Sequence, residues 1–416
     1  MDFKLHKVEA PHDKSSLQIS GSKSESNRWL ILQALYENLI IQNISDSDDS
    51  KHLNEVLQSD ESVLDIGHAG TAMRFGTAFF ATQENKDITL TGSARMKQRP
   101  IGILVDALNK LGAQVSYLEK EGYPPLRIKG SKICGGKLSI DGSVSSQFLS
   151  AILLVAPRFE KGLELHVTGE LTSKPYLEMT LGILKQVGVK VSTSNKDGNY
   201  VVHISPLNKS AIHTAVVESD WSSAGYWYSW VALQEEGNEM QLSSFNENSL
   251  QGDSELVHMY LPLGVKTTYG RNSIKLAKIK SSLPRLVELD LTKEPDQAQT
   301  IFATCLALGV DARLTGLHTL KIKETDRIEA MKVVGSRFRE SEITTTNNSI
   351  HLHFEKNTVF NKDVLVDTFQ DHRMAMAFAP LAMKTSLIIK DAMVVTKSYK
   401  NYYKDLKTVN VSITEI

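Results

Sequence analysis

Two hydrophobic rhythms alternate along the chain. The adjacent pair Leu104-Val105 is followed by Leu108 and Leu111 at spacings of three or four and predicts an amphipathic helix, which Gly112 ends before Ala113-Gln114-Val115 turns to a strand rhythm. Leu181 to Gly188 and the run Val189-Lys190-Val191 repeat the pattern, and third and fourth copies end at Gly264-Val265 and Gly335-Ser336. Each of these glycines is expected in the left-handed conformation that closes a helix. Between the helices, residues 87–92, 126–130, 163–167, 200–204 and 349–354 alternate apolar and polar with period two and predict strands. The spacing defines a mixed unit of about 70–76 residues. Six such units nearly fill the chain, and three per domain put a boundary near Glu218. The first unit is short between Asp46-Ser47-Asp48-Asp49 and Gly67, so it is expected to lack a strand pair.

Charge placement adds chemistry to this α/β frame. Gly21-Ser22-Lys23-Ser24-Glu25-Ser26-Asn27-Arg28 leads into the apolar run Trp29-Leu30-Ile31-Leu32, and Ser22 with Glu25 makes a capping box. A cation at a helix start opposes the helix dipole. Two readings fit, a solvated basic turn or an anion site completed by phosphate or carboxylate. The placement recurs at Arg74 after the expected cap Thr71, at Arg99 before Pro100 in the expected first helical position, at Arg327 after Asp326, and at Arg373 after Asp371. Five cations at helix starts point to polyanionic ligands.

Ser145-Ser146-Gln147, Thr172-Ser173-Lys174-Pro175-Tyr176 and Ser222-Ser223 open three further helices. Capping is the favoured reading for Ser222 and Ser223, with sugar or phosphate binding as the other. Asp296 and Glu324 are the acid/base candidates. Glu324 sits between Lys323 and Arg327, where a salt bridge and a tunable proton donor are both open readings.

Composition narrows the partners. At 416 residues two domains are expected, and 47 basic against 48 acidic residues leave no bulk field to draw nucleic acid or an anionic membrane. The longest apolar runs are too short to span a bilayer, and Met1 to Lys7 carry no apolar signal region, which points to the cytoplasm. Cys134 and Cys305 lack metal spacing and are expected to be inert. The phosphate-binding loop Gly-x-x-x-x-Gly-Lys-Ser/Thr, the nucleophile elbow Gly-x-Ser-x-Gly and the zinc motif His-Glu-x-x-His do not occur. His351 and His353 share a strand face and read as surface residues.

Seven motifs in order make the chain similar to the EPSP synthase family of enolpyruvyltransferases. They are Gly-Ser-Lys-Ser at 21–24 with Ser26-Asn27-Arg28, Ala-Gly-Thr-Ala-Met-Arg at 69–74, Arg-Met-Lys-Gln-Arg-Pro-Ile-Gly at 95–102, Ser-Ser-Gln-Phe-Leu at 145–149, Ser-Lys-Pro-Tyr at 173–176, Lys-Glu-Thr-Asp-Arg at 323–327 and Asp-His-Arg-Met-Ala-Met at 371–376. The resemblance implies a two-domain inside-out α/β barrel of six βαβαββ repeats, the first shortened. Residues 20–218 would form the shikimate 3-phosphate domain, and 1–19 with 219–416 the phosphoenolpyruvate domain.

The resemblance also implies transfer of the enolpyruvyl group of phosphoenolpyruvate to the 5-hydroxyl of shikimate 3-phosphate by a monomer, without metal or organic cofactor, and inhibition by glyphosate. Lys23, Arg99, Arg327, Arg373 and Lys397 would hold phosphoenolpyruvate, with Gly70 against it. Ser24, Arg28, Ser145, Ser146, Gln147, Ser173, Tyr176 and Lys323 would hold shikimate 3-phosphate. Asp296, Glu324, His372, Lys23 and Lys397 would form the catalytic set, with Asp296 as base and Glu324 as proton donor. Three positions depart from the family pattern: His68 and Thr319 replace asparagines and Phe75 a proline. Two other readings fit the family: a silent relative that binds shikimate phosphates, and the enolpyruvyltransferase acting on UDP-N-acetylglucosamine. The second typically uses a loop cysteine that neither Cys134 nor Cys305 matches.

Overall fold

The computed structural model describes residues 1–9, 16–143, 145–169, 171, 174–196, 198–356 and 358–416. The chain divides into two compact units, one of residues 21–217 and one of residues 1–20 with 218–416. The chain passes from one to the other at Ser20-Gly21 and again at Val217-Glu218.

The unit 21–217 holds two four-stranded sheets and one two-stranded sheet. In the first complete repeat, strand Val63–Asp65 runs parallel to Asp87–Thr91, and the hairpin Gln114–Tyr117 and Leu126–Lys129 adds on antiparallel through its second strand. Gly136–Asp141, Leu163–Thr168, Val191–Lys196 and Asn199–Ile204 repeat this order. The two-stranded sheet is the shortened repeat. Ile40–Gln42 pairs in parallel with Thr214–Val216, and among the described residues no hairpin joins them. Helix Asp48–Gln58 therefore turns directly into the segment before Val63, as the spacing predicts.

Burial explains why the helices lie inside. Leu126–Lys129 reads buried, exposed, buried, exposed, so its sheet turns one face to solvent. Helix Ser146–Val155 is buried at every position from Phe148 to Val155, which is the pattern of a helix enclosed on all sides. Its neighbours are helices Gly70–Ala81 and Lys174–Gln186.

The unit 1–20 with 218–416 has three four-stranded sheets of the same order. Two of them borrow strands from the first twenty residues. Ser16–Gln18 runs parallel to Glu239–Ser243, and Phe3–Lys7 lies between Leu387–Ile389 and Val411–Glu415. Leu5, fully buried, faces Leu387 on one side and Ile413 on the other. The enclosed helices are Trp221–Ala232, Ala298–Leu308 and His372–Phe378, and the core includes Trp221, Trp227, Trp230 and Tyr260.

Three of the four repeat glycines behave as expected: Gly112, Gly188 and Gly264 have φ of 106°, 95° and 82°. Gly335 does not. It ends helix Arg327–Gly335 from within, and a β-carbon there would lie 2.8 Å from the Phe302 ring. Close helix packing, not a left-handed cap, requires glycine at this position. The left-handed cap of this repeat is Gly309, at φ 71°, after helix Ala298–Leu308.

Candidate active site

In the unit 21–217 the expected residues gather at helix starts. Ser22 caps helix Lys23–Leu35, its Oγ accepting from the Glu25 amide at 3.4 Å. Lys23 is not left with an uncompensated charge, because Oδ2 of Asp49 lies 3.3 Å from its Nζ. Asp49 comes from the first turn of helix Asp48–Gln58, whose own N-terminus favours an acid. A carboxylate of the chain itself thus offsets the dipole penalty at this helix start.

Arg28 is 3% exposed, and among the described residues its hydrogen bonds go to hydroxyls and carbonyls. Nε donates to Thr180 Oγ1 at 2.8 Å, Nη1 to the Ser24 carbonyl at 2.7 Å, and Nη2 to Ser150 Oγ at 3.0 Å and the Tyr176 carbonyl at 3.1 Å. The Phe75 ring, standing where the family usually has proline, lies 5.5 Å from the guanidinium carbon. Burial pulls the Arg28 pKa down to about 10. The structure thus holds Arg28 as a buried cation bridging two helices and fixing Ser24 and Tyr176 through their carbonyls.

Gly70 and Arg99 are in contact. Gly70 begins helix Gly70–Ala81, and the Arg99 guanidinium fills the place of its absent side chain. The caps differ from expectation here. Ala69, not Thr71, is the N-cap, and Pro100 precedes a helix that starts only at Gly102. Thr71 instead receives Gln147 Nε2 at 3.4 Å.

Arg74, noticed in the sequence only for its place, proves part of this cluster. Nη1 donates to the Gly70 carbonyl at 3.3 Å and Nη2 to the Pro100 carbonyl at 2.9 Å. Burial, and then the Arg99 charge, bring its pKa down to about 9. Ser145 caps helix Ser146–Val155, with Ser146 and Gln147 half-buried in its first turn, and Tyr176 is half-buried in helix Lys174–Gln186. Ser173 lies outside the described residues.

The unit 1–20 with 218–416 builds an acid and base cluster around Arg327, which is 2% exposed. Asp326 caps its helix, accepting from the Glu329 amide at 3.2 Å as the sequence predicts. Arg327 Nε donates to Asp371 Oδ2 at 2.6 Å, Nη1 to Asp296 Oδ1 at 2.8 Å, and Nη2 to Glu324 Oε2 at 2.7 Å. Burial opposes its charge, but Asp371, Glu324 and Asp296 outweigh that and hold its pKa above the usual range. Lys323 Nζ stands 3.7 Å from Asp296 Oδ1. Asp296 favours the charged ammonium, yet burial and the Arg327 and Arg373 charges together bring the lysine below its ordinary value.

Arg373 completes the cluster, with Nη1 donating to the Asp296 carbonyl at 3.0 Å and Nη2 lying 3.3 Å from Asp296 Oδ2. Asp371 caps its helix through the Arg373 amide at 2.9 Å. His372, 2% exposed, has Nδ1 3.7 Å from Asp371 Oδ1. Just before the cap, Phe369 and Gln370 both have positive φ, 51° and 59°, a backbone conformation that side chains resist. Lys397 holds this bend by donating to the Gln370 carbonyl at 2.9 Å.

Three cations, Lys323, Arg327 and Arg373, thus interleave with three carboxylates, Asp296, Glu324 and Asp371. Such a cluster can hold an anion, accept a proton and return one within a few ångströms. Sequence reasoning missed Ser222 as part of it. Asp220, not a serine, caps helix Trp221–Ala232 through the Ser223 amide at 2.9 Å, and the Ser222 hydroxyl is free to receive Arg373 Nη2 at 3.3 Å. Of the cysteines, Cys305 is buried and its thiol pushed up to about 12 by burial, whereas Cys134 is exposed.

Repeated βαβαββ sheets around enclosed helices, with cations and carboxylates at the helix starts, match the architecture that the resemblance to enolpyruvyltransferases implies. Residues 51–406 match the family model for EPSP synthase (3-phosphoshikimate 1-carboxyvinyltransferase). A 3-phosphoshikimate 1-carboxyvinyltransferase from Bacteroides fragilis is 41% identical over 403 residues, 96% of each chain. One from a Sulfurovum species is 34% identical over 430 residues, covering 95% of this chain and 97% of its own. In fold, the chain is similar to EPSP synthase from Acinetobacter baumannii, with a TM-score of 0.80 at 19% identity over 100% of both chains. The chain belongs to the EPSP synthase family. Among the described residues, no helix is long and apolar enough to cross a membrane.

Proposed function

We propose that this protein transfers the enolpyruvyl group of phosphoenolpyruvate to the 5-hydroxyl of shikimate 3-phosphate, acting as a cytoplasmic monomer. The observation that carries the reading is the meeting of Asp296 and Glu324 on one guanidinium, that of Arg327. Asp296 takes the proton of the attacking hydroxyl, whose oxygen bonds to the central carbon of phosphoenolpyruvate. Glu324 gives a proton to the methylene carbon, and a tetrahedral adduct forms. Loss of a proton from the resulting methyl group and departure of phosphate then restore the double bond.

In this reading Lys23, Arg99, Arg327, Arg373 and Lys397 stabilise the phosphate and carboxylate of phosphoenolpyruvate, and Gly70 lets the ligand approach the backbone. Ser24, Arg28, Ser145, Ser146, Gln147, Ser173, Tyr176 and Lys323 receive shikimate 3-phosphate. The burial of Arg28 and its bonds to the Ser24 and Tyr176 carbonyls favour a share in that task through positioning. His372, enclosed beside Asp371, supports the turn that presents Arg373. Glyphosate competes with phosphoenolpyruvate.

Phosphate release that needs both substrates, with the enolpyruvyl ether as co-product, tests the reading. Tight shikimate 3-phosphate binding without phosphate release would instead mark a silent relative.

A further inference from the structure

Ser222 stands in the first turn of helix Trp221–Ala232 yet leaves the capping to Asp220. Its hydroxyl donates to Oδ2 of Asp253, a side chain of the short helix Gly252–Glu255 that is 6% exposed. A serine hydroxyl has one proton and two lone pairs. With the proton committed to Asp253, only lone pairs remain toward Arg373, and one of them accepts Nη2 at 3.3 Å. The remaining contacts of that guanidinium with Asp296 fix its other side, through Nη1 on the carbonyl and Nη2 beside Oδ2. Without Asp253 the hydroxyl proton could rotate toward Arg373, where a donor would face a cation.

We propose that Asp253 and Ser222 act in series as positioning residues for Arg373: the carboxylate sets the direction of the hydroxyl, and the hydroxyl oxygen holds the guanidinium in the rotamer that meets an anionic ligand. Burial raises the Asp253 carboxyl and Arg373 lowers it, so the acid is tied electrostatically to the group it orients. That the ligand is phosphoenolpyruvate rests on the function proposed above. The series itself rests on geometry alone.

The test uses the full chain with Ser222→Ala, Asp253→Leu and the double substitution, alongside Ser222→Thr and Asp253→Asn, which keep a hydroxyl and an acceptor oxygen. Steady-state kinetics give KM for each substrate, and calorimetric titration with phosphoenolpyruvate gives its affinity without need of turnover. Each disruptive variant should weaken phosphoenolpyruvate about 5- to 20-fold, as loss of one support of a charged hydrogen bond does. The KM for shikimate 3-phosphate should stay within about twofold and kcat within about threefold. Because the residues act in series, the double variant should be no weaker than the worse single one. The conservative variants should recover most of the affinity.

Effects that add, that fall equally on both substrates, or that are missing would overturn the relay. Thermal unfolding separates these results from simple misfolding, and Ser222→Ala, which removes one oxygen, keeps the test open if Asp253→Leu does not fold. A parent protein that binds phosphoenolpyruvate but releases no phosphate would sink the proposed reaction while leaving the relay to the titration.

Discussion

The guanidinium of Arg99 occupies the space where a side chain at position 70 would begin: a β-carbon on Gly70 would lie 2.5 Å from Nη1 and 3.0 Å from Cζ. The obstacle is the far end of a flexible side chain, so Gly70→Ala should fold, with Arg99 displaced. The variant should raise both the KM for phosphoenolpyruvate and the glyphosate inhibition constant about 10- to 100-fold, the scale expected for a misplaced binding group. Steady-state kinetics with and without glyphosate, beside a thermal melt, check this. Unchanged constants would mean that Arg99 does not contact the ligand.

Glu324 is held by Arg327, whose Nη2 donates to its Oε2 at 2.7 Å. Glutamine preserves that acceptor but has no acidic proton. Glu324→Gln should therefore cut kcat about 10²- to 10⁴-fold while substrate affinities change little. Single-turnover measurements and equilibrium titrations would separate the two effects, and an undiminished rate would transfer the proton donor's role elsewhere.

Arg28→Ala removes the donor shared by two hydroxyls and two carbonyls inside a closed helix bundle. The loss should lower unfolding free energy by about 2–4 kcal/mol in urea titrations, from the unpaired groups and the cavity together. Arg28→Lys should recover little of it, since an ammonium cannot reproduce the planar fork.

Glu294 gives the protein a distinctive pH response. Burial, then the charges of Asp253 and Glu255, push its carboxyl from 4.5 up to about 7. The folded state holds this proton where the unfolded chain has lost it, so stability falls as pH rises from about 4.5 to about 7 and the loss is complete above that window. Glu294→Gln should accordingly stabilise the protein at pH 8 by about 1–2 kcal/mol, the linkage value discounted for solvent screening, and by much less at pH 5. Urea unfolding at the two pH values reads the difference, and equal gains at both would show that Glu294 ionises normally.

What the sequence disclosed and what it concealed follow from the distance between interacting groups. Caps at Ser22, Asp326 and Asp371 bond to amides two or three residues away, and the sequence shows both partners together. Period-two strands and the shortened first repeat were legible for the same reason. By contrast, Arg28 reaches Ser150 and Thr180 across 122 and 152 residues, and no local pattern announces such pairs. Asp49 beside Lys23, and Asp253 beside Ser222, are hidden likewise. Gly335 shows the same limit within one residue type, since a glycine demanded by the Phe302 ring looks, in one dimension, like a glycine demanded by a turn. Motif resemblance supplied the roles, which geometry alone would have left as two charged clusters.

The borrowed strands at the start of the chain set a timetable for folding in the cell. Phe3–Lys7 and Ser16–Gln18 are made before residues 21–217, yet their partners lie at 239–243, 387–389 and 411–415. Residues 21–217 contain all the strands of their own sheets and can close while synthesis continues. Ser16–Gln18 must stay unpaired, and shielded from other nascent chains, until its partner Glu239–Ser243 is translated, and Phe3–Lys7 until Leu387–Ile389 is. A stop before residue 387 would thus leave Phe3–Lys7 with neither of its neighbours, so that strands far apart in sequence share one fate.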